Sequence, residues 1–378
     1  MRILIAPDKF KGSLSAREVA ENIALGLRDV LQGAKIDILP MADGGEGTAE
    51  VICNALGGSW LQCKAHDPLG REIDARYTWI ADRKLATMEM SEAAGMRRLS
   101  ESERDPVRAT TFGVGEMILD AVNRGANEII IGLGGSATND GGWGMARALG
   151  FRFDYEHPPS PGYGAASEQE QDQKVTCLLN LTKIAKPKDM TLPKIIAAVD
   201  VRNPLLGKNG ATRVFSPQKG ARKDEIKVLE RALTKLADVV SQEFCVDYRD
   251  EAGAGAAGGL GFGLMSFCGA TVRPGFDVVA EAVELESKMK DADVVITGEG
   301  SLDRQTLEGK TPAGVANFAR KLGKRVFAIV GRATKDREVD EIFDGIYENA
   351  RPGMSEKENM ERAAELLREN ARALARSL

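Results

Sequence analysis

The chain opens on an apolar run, "RILIA", followed by a polar loop and then by "SAREVAENIALGLRDVLQG". There Val19, Ile23, Leu27 and Val30/Leu31 recur at helical spacing. This predicts a strand, a loop and an amphipathic helix, with Ser15 capping its start and Gly33 its end. A second unit repeats the rhythm: "KIDIL" as strand, "PMADGGEG" as loop, "TAEVICNALG" as helix. Over residues 59–90 the apolar period shortens to two around turn signals at 67–70 and 82–84, which predicts a β-meander. Helix and strand alternate again over 107–200: a helix near 113–124, the strand "EIIIG", a glycine-rich loop, a short helix, and "KIIAAV" ending at Asp200. A charged helix follows at about 222–244, then "GAGAAGGLGFGL", read as tight helix packing. Two last βα units start at "DADVVITGEGSLD" and "KRVFAIVGRATKD", before an amphipathic tail.

Because the first two and last two units share one βα rhythm that the middle breaks, the pattern predicts an α/β protein of two α/β domains. One is a parallel-sheet domain formed by both chain ends (1–58 plus 288–378); the other is a mixed α/β domain inserted as 59–287, with the active site expected in the cleft between them. A chain of 378 residues exceeds what one core normally organises, which agrees with two domains. The stretch "DYEHPPSPGYGAASEQEQDQ" reads as a mobile surface insertion without chemistry.

Charge and composition remove several function classes. A net charge of −5 with 28% charged residues gives no electrostatic footprint for nucleic acid, so no nucleic-acid partner is expected. No run of 18 apolar residues exists and the start reads as a strand rather than a signal peptide; the expectation is no membrane partner and a cytoplasmic location. The oligomeric state is left open. Five cysteines without a C-x-x-C pair indicate neither a disulfide framework nor a zinc site. Only His66 and His157 are present, both beside turns, so the chemistry falls to carboxylates, lysines and backbone amides.

Those groups gather at predicted strand ends, where open parallel sheets collect ligands. The first strand leads into "APDKFKGSLS", with Asp8, Lys9 and Lys11; the second into "MADGGEGT", with Asp43 and Glu46. "DVVIT" leads into "GEGSLDRQTLEGKTPAG", with Glu299, Asp303 and Lys310. Carboxylates suit Mg²⁺ and a general base, whereas lysines and helix N-termini suit phosphate or carboxylate oxygens. The fourth cluster is "IIIGLGGSATNDGGWGMARALG", whose seven glycines around Ser136, Thr138, Asn139 and Asp140 offer free amides to an oxyanion. It is no P-loop: "GKT" at 309–311 has Arg304 where the motif needs its first glycine. "GLGGSA" with Asp154 does match a dinucleotide fingerprint, keeping a nicotinamide-dependent hydroxy-acid oxidoreductase as the rival reading, yet Gly141, Gly142 and Gly144 break the helix it should open. A third reading is a non-catalytic nucleotide- or carboxylate-binding protein. Lys11, Lys219 and Lys310 are the lysines available to a triphosphate on that loop.

Taken in order, "APDKFKGSLSA", "MADGGEGT", "TTFGVGE", "GLGGSATNDGG", "DVRNPLLGKNGA", "PQKGA", "GAGAAGGLGFGL" and "ITGEGSLD" followed by "GK" resemble the type-1 glycerate kinase family over nearly the whole chain. The resemblance implies a flavodoxin-like domain with a second α/β domain inserted. It also implies phosphorylation of D-glycerate by ATP with Mg²⁺, usually to 2-phosphoglycerate, with 3-phosphoglycerate as the alternative product. On that reading Gly134, Gly135, Ser136, Thr138, Asn139 and Lys310 hold ATP, and Asp200, Asp140 and Glu299 serve Mg²⁺. Lys9, Lys11, Glu46 and Lys219 bind substrate, Lys11 also neutralises charge in catalysis, and Asp43 or Asp8 is the base. Two departures stand out: Lys9 where the family usually has Ser in "APDSFKGS", and Ser301 where it often has Arg in "GEGR". A charge gained at one loop and lost at the other reads as compensation across one site.

Overall fold

The computed structural model describes residues 1–156, 174–304, 306, 310–334 and 336–378. Its strands in chain order are β1 (Arg2–Ile5), β2 (Lys35–Ile38), β3 (Ser59–His66), β4 (Glu72–Ile80) and β5 (Leu85–Glu89). Next come β6 (Glu128–Gly132), β7 (Arg152–Tyr155), β8 (Leu181–Ala185), β9 (Lys194–Val199) and β10 (Thr271–Pro274). The last are β11 (Val294–Thr297), β12 (Ser301–Leu302), β13 (Arg325–Val330), β14 (Arg332–Ala333) and β15 (Gly345–Glu348). The chain divides into two compact units: Met1–Leu56 with Pro274–Leu378, and Gly57–Arg273.

The outer unit is built on a five-stranded sheet in the order β15-β13-β11-β1-β2, parallel at every pairing. Counted within the sheet this is the order 2-1-3-4-5 of a flavodoxin-like fold, whose connections reverse between β1 and β11. Ile3, Leu4 and Ile5 are buried, as are Val294–Ile296 and Val326–Val330 except for a marginal edge of Phe327, because helices cover both faces of a parallel sheet. Helix Ala16–Arg28 forms where expected: Ser15 Oγ accepts from Glu18 N while Glu18 bonds back to Ser15 N, a complete capping box, and Val19, Ile23 and Leu27 face the core. It ends at Arg28 with Asp29 as its cap, four residues ahead of the predicted Gly33, since Val30 and Leu31 already turn back toward the core. The tail breaks at Arg362 into helices Glu356–Glu361 and Ala363–Ser377. The second lies against Ala16–Arg28 so closely that a Cβ on Gly26 would stand 2.4 Å from the Arg368 carbonyl oxygen.

The second crossing falls at Arg273/Pro274, so residues 274–287 pack with the outer unit and not with the insertion to which the sequence reading assigned them. Helix Gly275–Ala282 explains this: Gly275 sits directly on the Asp43 and Gly44 backbone, and the Phe276 ring lies 6.1 Å from that of Phe318.

The inserted unit has a six-stranded sheet, β10-β9-β6-β5-β4-β3. β3, β4 and β5 form the predicted antiparallel meander, whereas β5, β6 and β9 run parallel. β7 and β8 pair as a separate antiparallel ribbon. β7 occupies the start of the stretch read as a mobile insertion, and the remainder of that stretch, from His157 to Gln173, lies outside the described residues. Helix Ala256–Cys268 accounts for "GAGAAGGLGFGL". Ala257, Gly258 and Gly259 take left-handed backbone, and a Cβ on Gly258 would stand 2.0 Å from the Thr138 carbonyl oxygen. Glycine is required there because the helix start packs directly under the 134–142 loop.

Candidate active site

In the outer unit three strand ends converge at the point where the sheet order reverses, and their loops line a cavity of about 460 Å³. Asp8 follows β1; its backbone N–H donates to the Gly298 carbonyl beyond β11 at 2.8 Å, tying the two loops together. Its carboxylate is nearly buried, accepting from Lys9 N at 2.6 Å and from Thr311 Oγ1 at 2.7 Å. Burial pushes Asp8 up to about 6; Lys9 and the Thr311 hydroxyl oppose the shift and Asp43 reinforces it. Lys9 Nζ lies 3.9 Å from Asp8 and 4.0 Å from Asp43, and donates to the Glu46 carbonyl at 2.6 Å. Lys9 therefore bridges the β1 and β2 loops, and Glu46 contributes its backbone oxygen to that bridge while its side chain is exposed.

Glu299, after β11, is mostly buried and pushed up to about 7 by that burial; the hydrogen bond from Thr306 Oγ1 at 2.7 Å and the charge of Lys310 resist it, and Asp8 adds to it. One of its oxygens accepts from Thr306, and the residue lines the cavity. Lys310 precedes helix Thr311–Lys321 and lines the same cavity, as does the exposed Lys11. Lys11 also lines a neighbouring groove of about 730 Å³ walled by Phe10, Leu14, Pro40 and Val51. Of the expected residues, then, Asp8, Lys9, Lys11, Asp43, Glu299 and Lys310 share one cavity.

The inserted unit holds the glycine loop after β6. Among the described residues the N–H groups of Gly134, Gly135 and Ser136 make no hydrogen bond, so they are available to an oxyanion, while Ala137 N–H is taken by the Ala94 carbonyl. Thr138 Oγ1 and Asn139 Oδ1 are buried without a partner among the described residues, and Asn139 Nδ2 donates to Thr212 Oγ1 at 3.0 Å.

Two assignments change here. Asp140 was expected to help hold a metal; instead it is fully buried and accepts from Thr111 N, Thr111 Oγ1, Gly142 N and Gly144 N at 2.8–3.1 Å. With both oxygens committed it anchors the loop, its pKa raised by burial against those hydrogen bonds. Lys219 was expected at the substrate; its ammonium lies inside the inserted unit, donating to the Thr138 carbonyl at 2.7 Å, and burial lowers its pKa to about 7 despite Asp140. Asp200 stands exposed just past β9, and no group of three metal-ligating side chains occurs among the described residues.

The dinucleotide reading loses its footing. Asp154 sits in the β7–β8 ribbon, opposite Lys183, and the helix after the glycine loop is only Trp143–Ala148. Sequence reasoning missed Thr311, Thr306 and Arg332, all at the outer cavity or bonded to its acids. "GKTP" at a helix start was the available signal for Thr311; nothing in the sequence marks Arg332.

The model of the glycerate kinase family matches residues 3–378. The chain is 40% identical to a glycerate kinase of Bacillus subtilis, covering 100% of this chain and 98% of that one. It is 41% identical to glycerate 2-kinase of Escherichia coli, covering 92% and 95%. Among solved structures, a protein from Salmonella typhimurium LT2 provisionally named glycerate kinase 2 superposes with a TM-score of 0.85 at 40% identity, covering 100% and 98%.

Proposed function

The chain belongs to the glycerate kinase family, and on that premise we propose that it transfers the γ-phosphoryl group of ATP, with Mg²⁺, to the 2-hydroxyl of D-glycerate. The products are 2-phospho-D-glycerate and ADP. The observation that carries this reading is the outer cavity, where buried carboxyls with raised pKa values stand among lysines at the reversal point of a parallel sheet.

Phosphoryl transfer asks for positioning, charge neutralisation and removal of one proton. Asp8 is the base: its pKa of about 6 keeps it ionised at neutral pH yet basic enough to take the hydroxyl proton as oxygen attacks phosphorus and the bond to ADP breaks. Asp43 acts through Lys9, sharing its ammonium with Asp8. Lys11 and Lys310 neutralise oxyanions. Mg²⁺ takes one or two carboxylates, with phosphate and water supplying the rest, so a protein cage is not required. Glu299, which lines the cavity, would serve that demand, whereas Asp140 has both oxygens bonded within its own loop; the ion would neutralise charge on the transferring phosphate. The free amides of Gly134, Gly135 and Ser136, with Thr138 and Asn139, suit the ATP phosphates.

The test is ³¹P NMR of a mixture of the protein, D-glycerate, ATP and Mg²⁺, with ADP release measured in parallel. A resonance from phosphate on carbon 2 is expected. A 3-phosphate signal would overturn the regiochemistry, and no ADP release would overturn the kinase reading.

A further inference from the structure

The short parallel ladder of β12 and β14 sets Ser301 directly opposite Arg332. Arg332 Nε donates to Ser301 Oγ at 3.1 Å, and Nη1 lies 3.8 Å from Glu356 on the far rim. The guanidinium lines the same 460 Å³ cavity as Lys11, Lys310, Asp8, Asp43 and Glu299, and is more than half exposed. Nε is taken by Ser301, and neither terminal nitrogen makes a hydrogen bond among the described residues.

We propose that Arg332, positioned by Ser301, is a specificity-determining residue that binds the substrate carboxylate; this rests on the glycerate kinase reading above. A planar fork takes both oxygens of a carboxylate at once, which the point charges of Lys9, Lys11 and Lys310 do not. Lys9 is in any case held by Asp8, Asp43 and the Glu46 carbonyl. The carboxylate is also what separates glycerate from a neutral polyol of similar size, so an anchor for it decides which substrate is accepted. The departure at Ser301 takes on a meaning here. The residue paired with it across the ladder, and not Lys9, supplies a guanidinium at this edge of the cavity, and Ser301 is the small acceptor that holds it.

The experiment is steady-state kinetics of Arg332→Met, Arg332→Lys and Ser301→Ala, varying D-glycerate and ATP separately, with circular dichroism to confirm folding of these exposed-site variants. Arg332→Met is expected to raise KM for D-glycerate about tenfold or more, the loss of a charge-assisted bidentate contact, while KM for ATP and kcat change by less than about threefold. Arg332→Lys is expected to recover little of this. Ser301→Ala should raise KM for glycerate in the wild type and add nothing in the Arg332→Met background. A rise under about threefold, an equal rise in KM for ATP, or an additive Ser301→Ala effect would overturn the proposal. A wild-type protein without turnover would instead sink the kinase reading.

Discussion

At the scale of single residues, the outer cavity depends on keeping Asp8 both buried and ionisable. Thr311 Oγ1 and the Lys9 amide bond to its charged form and hold its pKa near 6 against burial. On the proposal that Asp8 is the base, which must be ionised, activity is expected to rise with pH through about 6. Thr311→Val removes one stabilising donor, so the acid limb of kcat/KM is expected to move to higher pH; Thr311→Ser should leave it in place. Asp8→Asn should cut kcat by about 10²–10⁴-fold. Stability runs the other way. A carboxyl whose folded pKa lies above its unfolded value stabilises the fold fully only below the unfolded pKa, near 4, and that contribution is lost as pH rises to about 6. Asp8→Asn is therefore expected to raise Tm at pH 7 and leave it unchanged near pH 3, read by a thermal scan at each pH. The sequence displayed Asp8, Asp43, Glu299 and Lys310, because strand-end loops announce themselves through Gly, Asp and Lys. It did not display their partners: Thr311 is 303 residues from Asp8, and only the β1–β11 pairing brings them together.

At the scale of elements, the loop after β6 shows how a legible glycine-rich motif led to two roles that its own packing changes. "GGSATND" is legible as an oxyanion loop, yet from sequence Asp140 and Lys219 looked like groups reaching outward. A loop crowded with amides has to satisfy those it does not offer to a ligand, and Asp140 does so for Gly142, Gly144 and Thr111. Lys219 holds the Thr138 carbonyl, and Gly258 lets the neighbouring helix close beneath it. Asp140→Ala should therefore leave three buried N–H groups unpaired and destabilise the inserted unit by about 3 kcal/mol or more, measured by urea unfolding followed through tryptophan fluorescence. A metal ligand would behave differently, costing Mg²⁺ affinity with little loss of stability. The short strands β10 and β15 escaped the sequence pattern for a related reason. Each has four residues, none of them fully buried, and pairing with β9 or β13 makes them strands rather than any alternation of their own.

At the scale of the whole molecule, the two units differ in what each must wait for. The outer sheet is closed by pairings such as Ile3↔Val294, which join residues almost three hundred apart, so it is complete only when both chain ends are present. The inserted unit is continuous from Gly57 to Arg273 and owns an extensive core, including Trp143 and the edge-to-face set Phe151, Phe153, Phe244 and Phe267. All three tryptophans, Trp60, Trp79 and Trp143, fall within it. A fragment of residues 57–273 is thus expected to fold alone, with one cooperative urea transition in tryptophan fluorescence whose m-value matches the tryptophan-reported transition of the full chain. A non-cooperative transition would mean that the insertion needs the outer unit to hold its core. The same fragment should release no ADP in the presence of D-glycerate, since Asp8, Lys11, Glu299 and Lys310 all belong to the unit it lacks.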